Sequence, residues 1–427
     1  MYYEAYLVKL MAKFVIKGGN KLKGTVVVSG SKNAVLPIMC AALLTKEKTV
    51  LENVPDIADI RSMLAIMTGL GVKIKFEKGK LEIDPTRFKN KRPLDEYVCK
   101  MRASILLLGP FLANFNKVEM AFPGGCVLGK RSVSSHTDAL QQLGCKVIDE
   151  TKSLKLKATK LRGTTIILPE LSVTATENIA MIAALAEGKT TIKLAAAEPH
   201  VQDLCKFLNK MGAKIKGIGT STLQITGVKK LKGVTYRVTG DYLEAGTFAI
   251  ASAITNGDII IKGIKTSELD SFWQKLKEVG VDFELKENEV HVKGYKELKS
   301  VKMLRTAVFP SFPTDLQAPF SVLLTQANGV SKIFETLFEG RLNYLAELEH
   351  MGAKVEILNP HQAIIIGPSK LKSMPISSYD IRAGAAMVIA ALTAKGETEI
   401  TNINYLDRGY EKFDEKLRRL GADIRRV

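Results

Sequence analysis

Phe207-Leu-Asn-Lys-Met-Gly-Ala-Lys-Ile-Lys216 reads as the last turn of a helix, a stop, and the first residues of a strand. The stop is Gly212. A glycine after an apolar-periodic run supplies the left-handed residue that closes a helix, at no steric cost. The same tag, an aliphatic or Met residue followed by Gly, a small residue and Lys or Asp, occurs six times, at Gly71, Gly144, Gly212, Gly280, Gly352 and Gly421. The spacings are 73, 68, 68, 72 and 69 residues, so the chain is six copies of one unit.

After five of these glycines two short alternating strands are expected, as in Lys214-Ile-Lys with Leu223-Gln-Ile. A second tag follows: Lys21-Leu-Lys-Gly24, Arg87-Phe-Lys-Asn90, Lys160-Leu-Arg-Gly163, Lys230-Leu-Lys-Gly233, Glu297-Leu-Lys-Ser300 and Lys370-Leu-Lys-Ser373. It leads into a further strand and then a helix of small apolar residues, such as Ala385 to Ala394. The unit is strand, helix, strand, helix, strand, strand, with three units per domain and the apolar helices packed inside. The last unit stops one strand short at Val427, and Phe14-Val-Ile-Lys-Gly18 supplies a strand of the right pattern. The expected domains are therefore 32–239, and 13–31 with 240–427, the chain crossing twice. Residues 1–12 read as a disordered extension before a second start at Met11-Ala-Lys.

A chain of 427 residues with 46% hydrophobic and 25% charged residues fits two globular domains. The longest uncharged apolar run, Ala34 to Leu44, falls short of the roughly 20 residues that span a bilayer. Five cysteines without CxxC pairing, and five scattered histidines, argue against a disulfide framework and a zinc site, and fit a reducing cytoplasm. A net charge of +18 raises nucleic-acid binding. The lysines, however, are spread along the chain with no basic tail, which argues against that reading; a generally basic proteome accounts for the charge, and such a field would also favour an anionic substrate.

The unusual residues fall at repeat-equivalent helix starts, where free N–H groups suit anions. Arginine there opposes the helix dipole and needs another reason. Arg102, Arg131, Arg341, Arg382 and Arg408 are five such cases and, with Lys32, are expected to form a cationic cluster between the domains. Asp241 and Asp380 read as helix caps. Cys126, in Pro123-Gly-Gly-Cys126 with Lys130 and Arg131 following, is a thiol on a glycine loop beside cations, the setting that lowers a thiol's pKa. Gly124 and Gly125 read as hinges of that loop.

Gly30-Ser-Lys-Asn-Ala34, Met101-Arg-Ala-Ser104, Pro123-Gly-Gly-Cys126, Phe312-Pro-Thr-Asp315, Phe338-Glu-Gly-Arg341 and Leu406-Asp-Arg-Gly-Tyr410 occur in order over some 400 residues. Together they resemble the UDP-N-acetylglucosamine 1-carboxyvinyltransferases, a branch of the enolpyruvyl transferase family. The sister enzymes that make enolpyruvylshikimate phosphate differ at Lys32-Asn33 and lack the cysteine loop. The resemblance implies an α/β fold of two inside-out α/β barrels with the active site in the cleft between them. It implies a cytoplasmic enzyme that needs no cofactor or metal, takes phosphoenolpyruvate and UDP-N-acetylglucosamine, and begins peptidoglycan precursor synthesis. Nucleic acid and membrane are not expected partners.

By the same resemblance Asp315 is the general base and Cys126 the proton donor, a residue that also carries a covalent phosphoenolpyruvate adduct and is the target of fosfomycin. Lys32, Asn33, Arg131, Arg341, Arg382 and Arg408 hold phosphoenolpyruvate, Lys32 and Arg408 counting as catalytic. Asn33, Arg102, Arg131, Ser132, Val133, Ser134, Ser135, Glu170, Leu171, Ser172, Val173, Thr314, Asp315 and Leu337 hold the nucleotide sugar. Leu106, Ser132 and Ser134 stand where the family carries an aromatic residue, a proline and an aspartate.

Overall fold

The computed structural model describes residues 12–124, 133–149 and 151–427. All six tag glycines take up the left-handed conformation, with φ between 91° and 108°. Each ends a helix where the alternating strands begin. Among the described residues the strands form six small sheets, five of four strands and one of three. In the strand pair Lys73–Glu77 and Lys80–Asp84, antiparallel registry pairs Ile74 with Ile83 and Phe76 with Leu81. Leu81 and Ile83 are buried, whereas the flanking Lys73, Lys75 and Lys80 face solvent. This alternation of buried and exposed residues is what gives each sheet one inner and one outer face.

The described chain divides into two compact units, 12–29 with 240–427, and 30–124 with 133–149 and 151–239. Each has its own apolar core. In the first unit the core is built on helices Tyr242–Ile254, Gln317–Leu324 and Ile381–Thr393, which pack on one another. All 13 residues of Tyr242–Ile254 are buried. Small residues let neighbouring segments pack closely on these helices: a Cβ on Gly246 would lie 2.4 Å from Leu316 Cδ1, and one on Gly384 would lie 2.5 Å from Ser378 Oγ. In the other unit the equivalent helices are Lys32–Ala41, Leu108–Phe115 and Val173–Ala183.

The sheets are completed by strands from distant parts of the sequence. Phe14–Lys17 lies antiparallel between Glu397–Thr401 and Asp423–Arg426, filling the place that the last repeat leaves open. Lys23–Val27 runs parallel to Asp258–Lys262, and Thr235–Arg237 parallel to Thr49–Glu52. The chain passes between units at Ser29–Gly30 and again at Thr239–Gly240. The first passage falls two residues before the boundary expected from the sequence. Ser31 N donates to Thr239 O at 2.8 Å and Asp241 N to Ser29 O at 2.8 Å, so the passages run side by side. Only glycine fits there, since a Cβ on Gly30 would stand 1.7 Å from Asn53 O and one on Gly240 1.9 Å from Gly263 O.

Two expectations are corrected. The strand expected after Arg87-Phe-Lys-Asn90 does not form, and that unit's sheet has three strands. Pro93 cannot donate to a ladder, and the segment instead turns into the short helix Asp95–Val98, with Arg92 bridging to Asp95 at 2.8 Å. The arginines also do not all open α-helices. Arg382 does, as the second residue of Ile381–Thr393. Arg341 lies within the 3-10 turn Glu339–Leu342, Arg408 ends the turn Ile403–Arg408, and Arg102 begins the turn Arg102–Leu107. So short a turn sums few peptide dipoles, and the expected conflict with the macrodipole is correspondingly small.

Candidate active site

Asp315 lies in the 3-10 turn Thr314–Leu316, which Pro313 introduces ahead of helix Gln317–Leu324. Both of its oxygens meet buried arginines. Arg341 Nη2 donates to Oδ1 at 2.9 Å, and Arg382 Nη2 donates to Oδ2 at 3.0 Å. The two guanidiniums are only 4% and 6% exposed in their side chains, and Asp315 is 25% exposed, so the carboxylate caps two cations sunk in the protein. Burial alone would lower the pKa of Arg382, but the charge of Asp315, with Tyr410 and Asp241, holds it above its ordinary value.

Aromatic faces complete the setting. The Arg382 guanidinium lies 5.4 Å from the Tyr410 ring centre, and Arg341 lies 5.1 Å from that of Phe338. Tyr410 is buried, its hydroxyl is 2.9 Å from Thr247 Oγ1, and burial pushes its pKa up. Thr314 Oγ1 donates to Glu335 Oε2 at 2.8 Å, while Glu335 Oε1 accepts from Leu337 N at 2.9 Å. Thr314, Asp315, Leu337, Arg341 and Arg382 are thereby linked, with Arg408 two residues before Tyr410. Asp241 and Asp380 are the caps expected, each accepting from two N–H groups of its helix.

In the other unit Lys32 begins helix Lys32–Ala41, with Asn33 beside it. Lys32 Nζ lies 3.2 Å from Asp59 Oδ2, and the two side chains are 13% and 6% exposed. A second cluster forms where helices Ser134–Gln142 and Val173–Ala183 begin. Among the described residues neither N-terminus receives a side-chain cap from its N-cap residue or carries an acid in its first turn. Ser135 Oγ donates to Glu170 Oε1 at 2.5 Å, and His136 Nε2 is 2.9 Å from Thr174 Oγ1. Burial first, and the charge of Arg102 second, push the pKa of His136 down to about 3, so the imidazole is neutral. Two uncapped helix starts beside an arginine suit a diphosphate. Val133, Ser134, Leu171, Ser172 and Val173 all lie at these two starts.

Residues 1–11 of the expected extension, the expected hinge Gly125, and Cys126, Lys130, Arg131 and Ser132 lie outside the described residues. Gly124 is described, and its glycine serves close approach: a Cβ would lie 2.1 Å from Cys99 O. Sequence reasoning missed Asp59, Glu335, Tyr410 and His136 as individual site residues. Asp59 sits in the first turn of helix Ala58–Gly69, where an acid ordinarily reads as a helix-dipole partner. Tyr410 closes the motif Leu406-Asp-Arg-Gly-Tyr410, but nothing in that motif shows that its ring meets Arg382.

The matching family model is that of EPSP synthase (3-phosphoshikimate 1-carboxyvinyltransferase), over residues 16–417. UDP-N-acetylglucosamine 1-carboxyvinyltransferase 3 of Caldanaerobacter subterraneus is 44% identical over 417 residues, covering 98% of this chain and 100% of its own. The UDP-N-acetylglucosamine 1-carboxyvinyltransferase of Lawsonia intracellularis is also 44% identical, with the same coverage. Among solved structures, the enolpyruvyl transferase NikO of Streptomyces tendae superposes with a TM-score of 0.88 at 23% identity, over 98% of this chain and 99% of that one. An EPSP synthase of Acinetobacter baumannii gives 0.76 at 19% identity, over 98% of this chain and 100% of that one. These two share the fold. The chain belongs to the EPSP synthase family of enolpyruvyl transferases, among the UDP-N-acetylglucosamine 1-carboxyvinyltransferases.

Proposed function

We propose that this protein transfers the enolpyruvyl group of phosphoenolpyruvate to the 3-hydroxyl of UDP-N-acetylglucosamine and releases phosphate, the first committed step of peptidoglycan precursor synthesis, in the cytoplasm. Full-length relatives of that name support the reaction. Among the described residues no helix is long and apolar enough to cross a membrane. The observation that carries the site is the carboxylate of Asp315 held by two buried guanidiniums.

Arg341 and Arg382, with Arg408, hold the carboxylate of phosphoenolpyruvate; paired guanidiniums match a carboxylate in shape and charge. Both are engaged by Asp315 in the free protein. The substrate carboxylate takes over that partnership and leaves Asp315 free to accept the proton of the sugar hydroxyl. The hydroxyl oxygen bonds to C2 of phosphoenolpyruvate as Cys126 gives a proton to C3. The bond from C2 to the phosphate oxygen then breaks, C3 returns its proton, and the enol ether and phosphate leave. Lys32 and Arg131 join Arg408 in binding phosphate, and Asp59 holds Lys32 in place. Asn33, Arg102 and the helix starts at Ser134 and Val173 receive the nucleotide sugar, with Ser132, Ser135, Glu170, Thr314 and Leu337 lining it. Holding both charged substituents of the reacting carbon rigidly supplies much of the catalysis.

Incubation of the protein with both substrates, followed by mass spectrometry, is expected to show UDP-N-acetylglucosamine carrying an enolpyruvyl ether. Substrates recovered unchanged would overturn the reading.

A further inference from the structure

The passage at Ser29 is held by charged groups that the reaction does not use. Ser29 N donates to Glu244 Oε2 at 2.7 Å, and Ser29 Oγ donates to Glu411 Oε2 at 2.7 Å. Lys416 Nζ donates to Ser29 Oγ at 2.7 Å and to Glu244 Oε1 at 2.5 Å. The side chains of Glu244 and Lys416 are 3% and 15% exposed. Burial pushes the Glu244 carboxyl up, against the pull of Lys416. An ion pair so deep is a poor source of stability, because apolar residues of equal volume serve as well; its attested use is to select one arrangement.

What that arrangement contains is specific. Ser29 is the last residue before the chain leaves its unit, three before Lys32. Glu411 follows Tyr410, whose ring packs on Arg382 and whose hydroxyl meets Thr247. A continuous run of contacts therefore leads from Asp315 through Arg382, Tyr410 and Glu411 to Ser29. We propose that Ser29, Glu244, Glu411 and Lys416 are positioning residues for the transfer: Lys416 and Glu244 fix Ser29, from which the chain runs on to Lys32, and Ser29 in turn fixes Glu411 and the turn that bears Arg408. The inference rests on the roles given above to Lys32 and Arg408.

Two variants of the full chain test it, Ser29→Ala, which removes only the bridging hydroxyl, and Lys416→Met, which removes the ammonium. Phosphate release is followed with each substrate varied, alongside thermal unfolding and amide hydrogen exchange by mass spectrometry. Ser29→Ala is expected to lower kcat about tenfold, the size expected for a lost hydrogen bond to a charged group, with its melting temperature lowered by no more than about 4 °C. Exchange is expected to quicken at residues 30–33 and 408–411 together. Lys416→Met is expected to do the same more strongly. A Ser29→Ala protein with parental kcat, or with faster exchange at one segment alone, overturns the proposal while the reaction stands. A parent protein that releases no phosphate overturns the reaction, and this proposal with it.

Discussion

Replacing Arg382 by lysine separates charge from shape at the centre of the site. The arginine is 5% exposed, donates to Asp315 Oδ2 at 3.0 Å and lies 5.4 Å from the Tyr410 ring centre. A hydrogen bond to a charged group contributes about 1.5–3 kcal/mol, and a cation over an aromatic face about 0.5–2 kcal/mol. Lysine keeps the charge and some of the packing, but its compact ammonium cannot bridge a carboxylate while lying flat on a ring. A net loss of about 2 kcal/mol at the transition state corresponds to about a thirtyfold lower kcat/KM. The loss is expected with phosphoenolpyruvate as the varied substrate, with the KM for UDP-N-acetylglucosamine changing less than about twofold. Steady-state phosphate release with each substrate varied in turn, beside a melting curve, measures both. A parental kcat/KM, or equal losses toward both substrates, would refute the assignment of Arg382 to the phosphoenolpyruvate carboxylate.

Three further outcomes are expected. Fosfomycin should inactivate the parent through Cys126, and Cys126→Asp should resist it; inhibition that survives the substitution places the target elsewhere. His136, with its pKa pushed down to about 3, is neutral when folded and charged when unfolded at mildly acidic pH. The unfolded chain then binds the extra proton, so stability is lost as pH falls below about 6.5, by about 1.4 kcal/mol per pH unit; denaturant unfolding of His136→Gln should lack that slope. Glu177 is the opposite case: burial, then the nearby Glu198, raise its pKa well above the ordinary value. Its contribution is present below about pH 4.5 and falls as pH rises, so Glu177→Gln should gain stability over the parent as pH rises above that point, and a constant difference would show that Glu177 does not titrate in the folded protein.

The fold was legible because its punctuation is local. Each tag glycine occupies a backbone position that other residues take up only under strain, so Gly71 and its five counterparts marked the helix ends without help from the rest of the chain. The missing strand after Asn90 shows the limit: the tag recurs there without its strand, because Pro93 cannot donate to a ladder. The site was legible by residue type but not by arrangement. Arg341 and Arg382 stand out as cations at repeat-equivalent positions, yet their meeting on Asp315 joins residues 26 and 67 apart and brings two 3-10 turns to the start of helix Ile381–Thr393, which no local pattern shows. The sequence does not single out Asp59 or Glu411, because an acid in or before a first helical turn has a local explanation already. Their partners, Lys32 and Ser29, are 27 and 382 residues away.

The central claim is the choice of acceptor, because the fold is shared with enzymes that act on a shikimate. The measurement that tests it most directly is phosphate release from phosphoenolpyruvate, with UDP-N-acetylglucosamine and shikimate-3-phosphate offered in separate reactions. Release with UDP-N-acetylglucosamine alone is the predicted result, and release with shikimate-3-phosphate alone, or with neither, would contradict it.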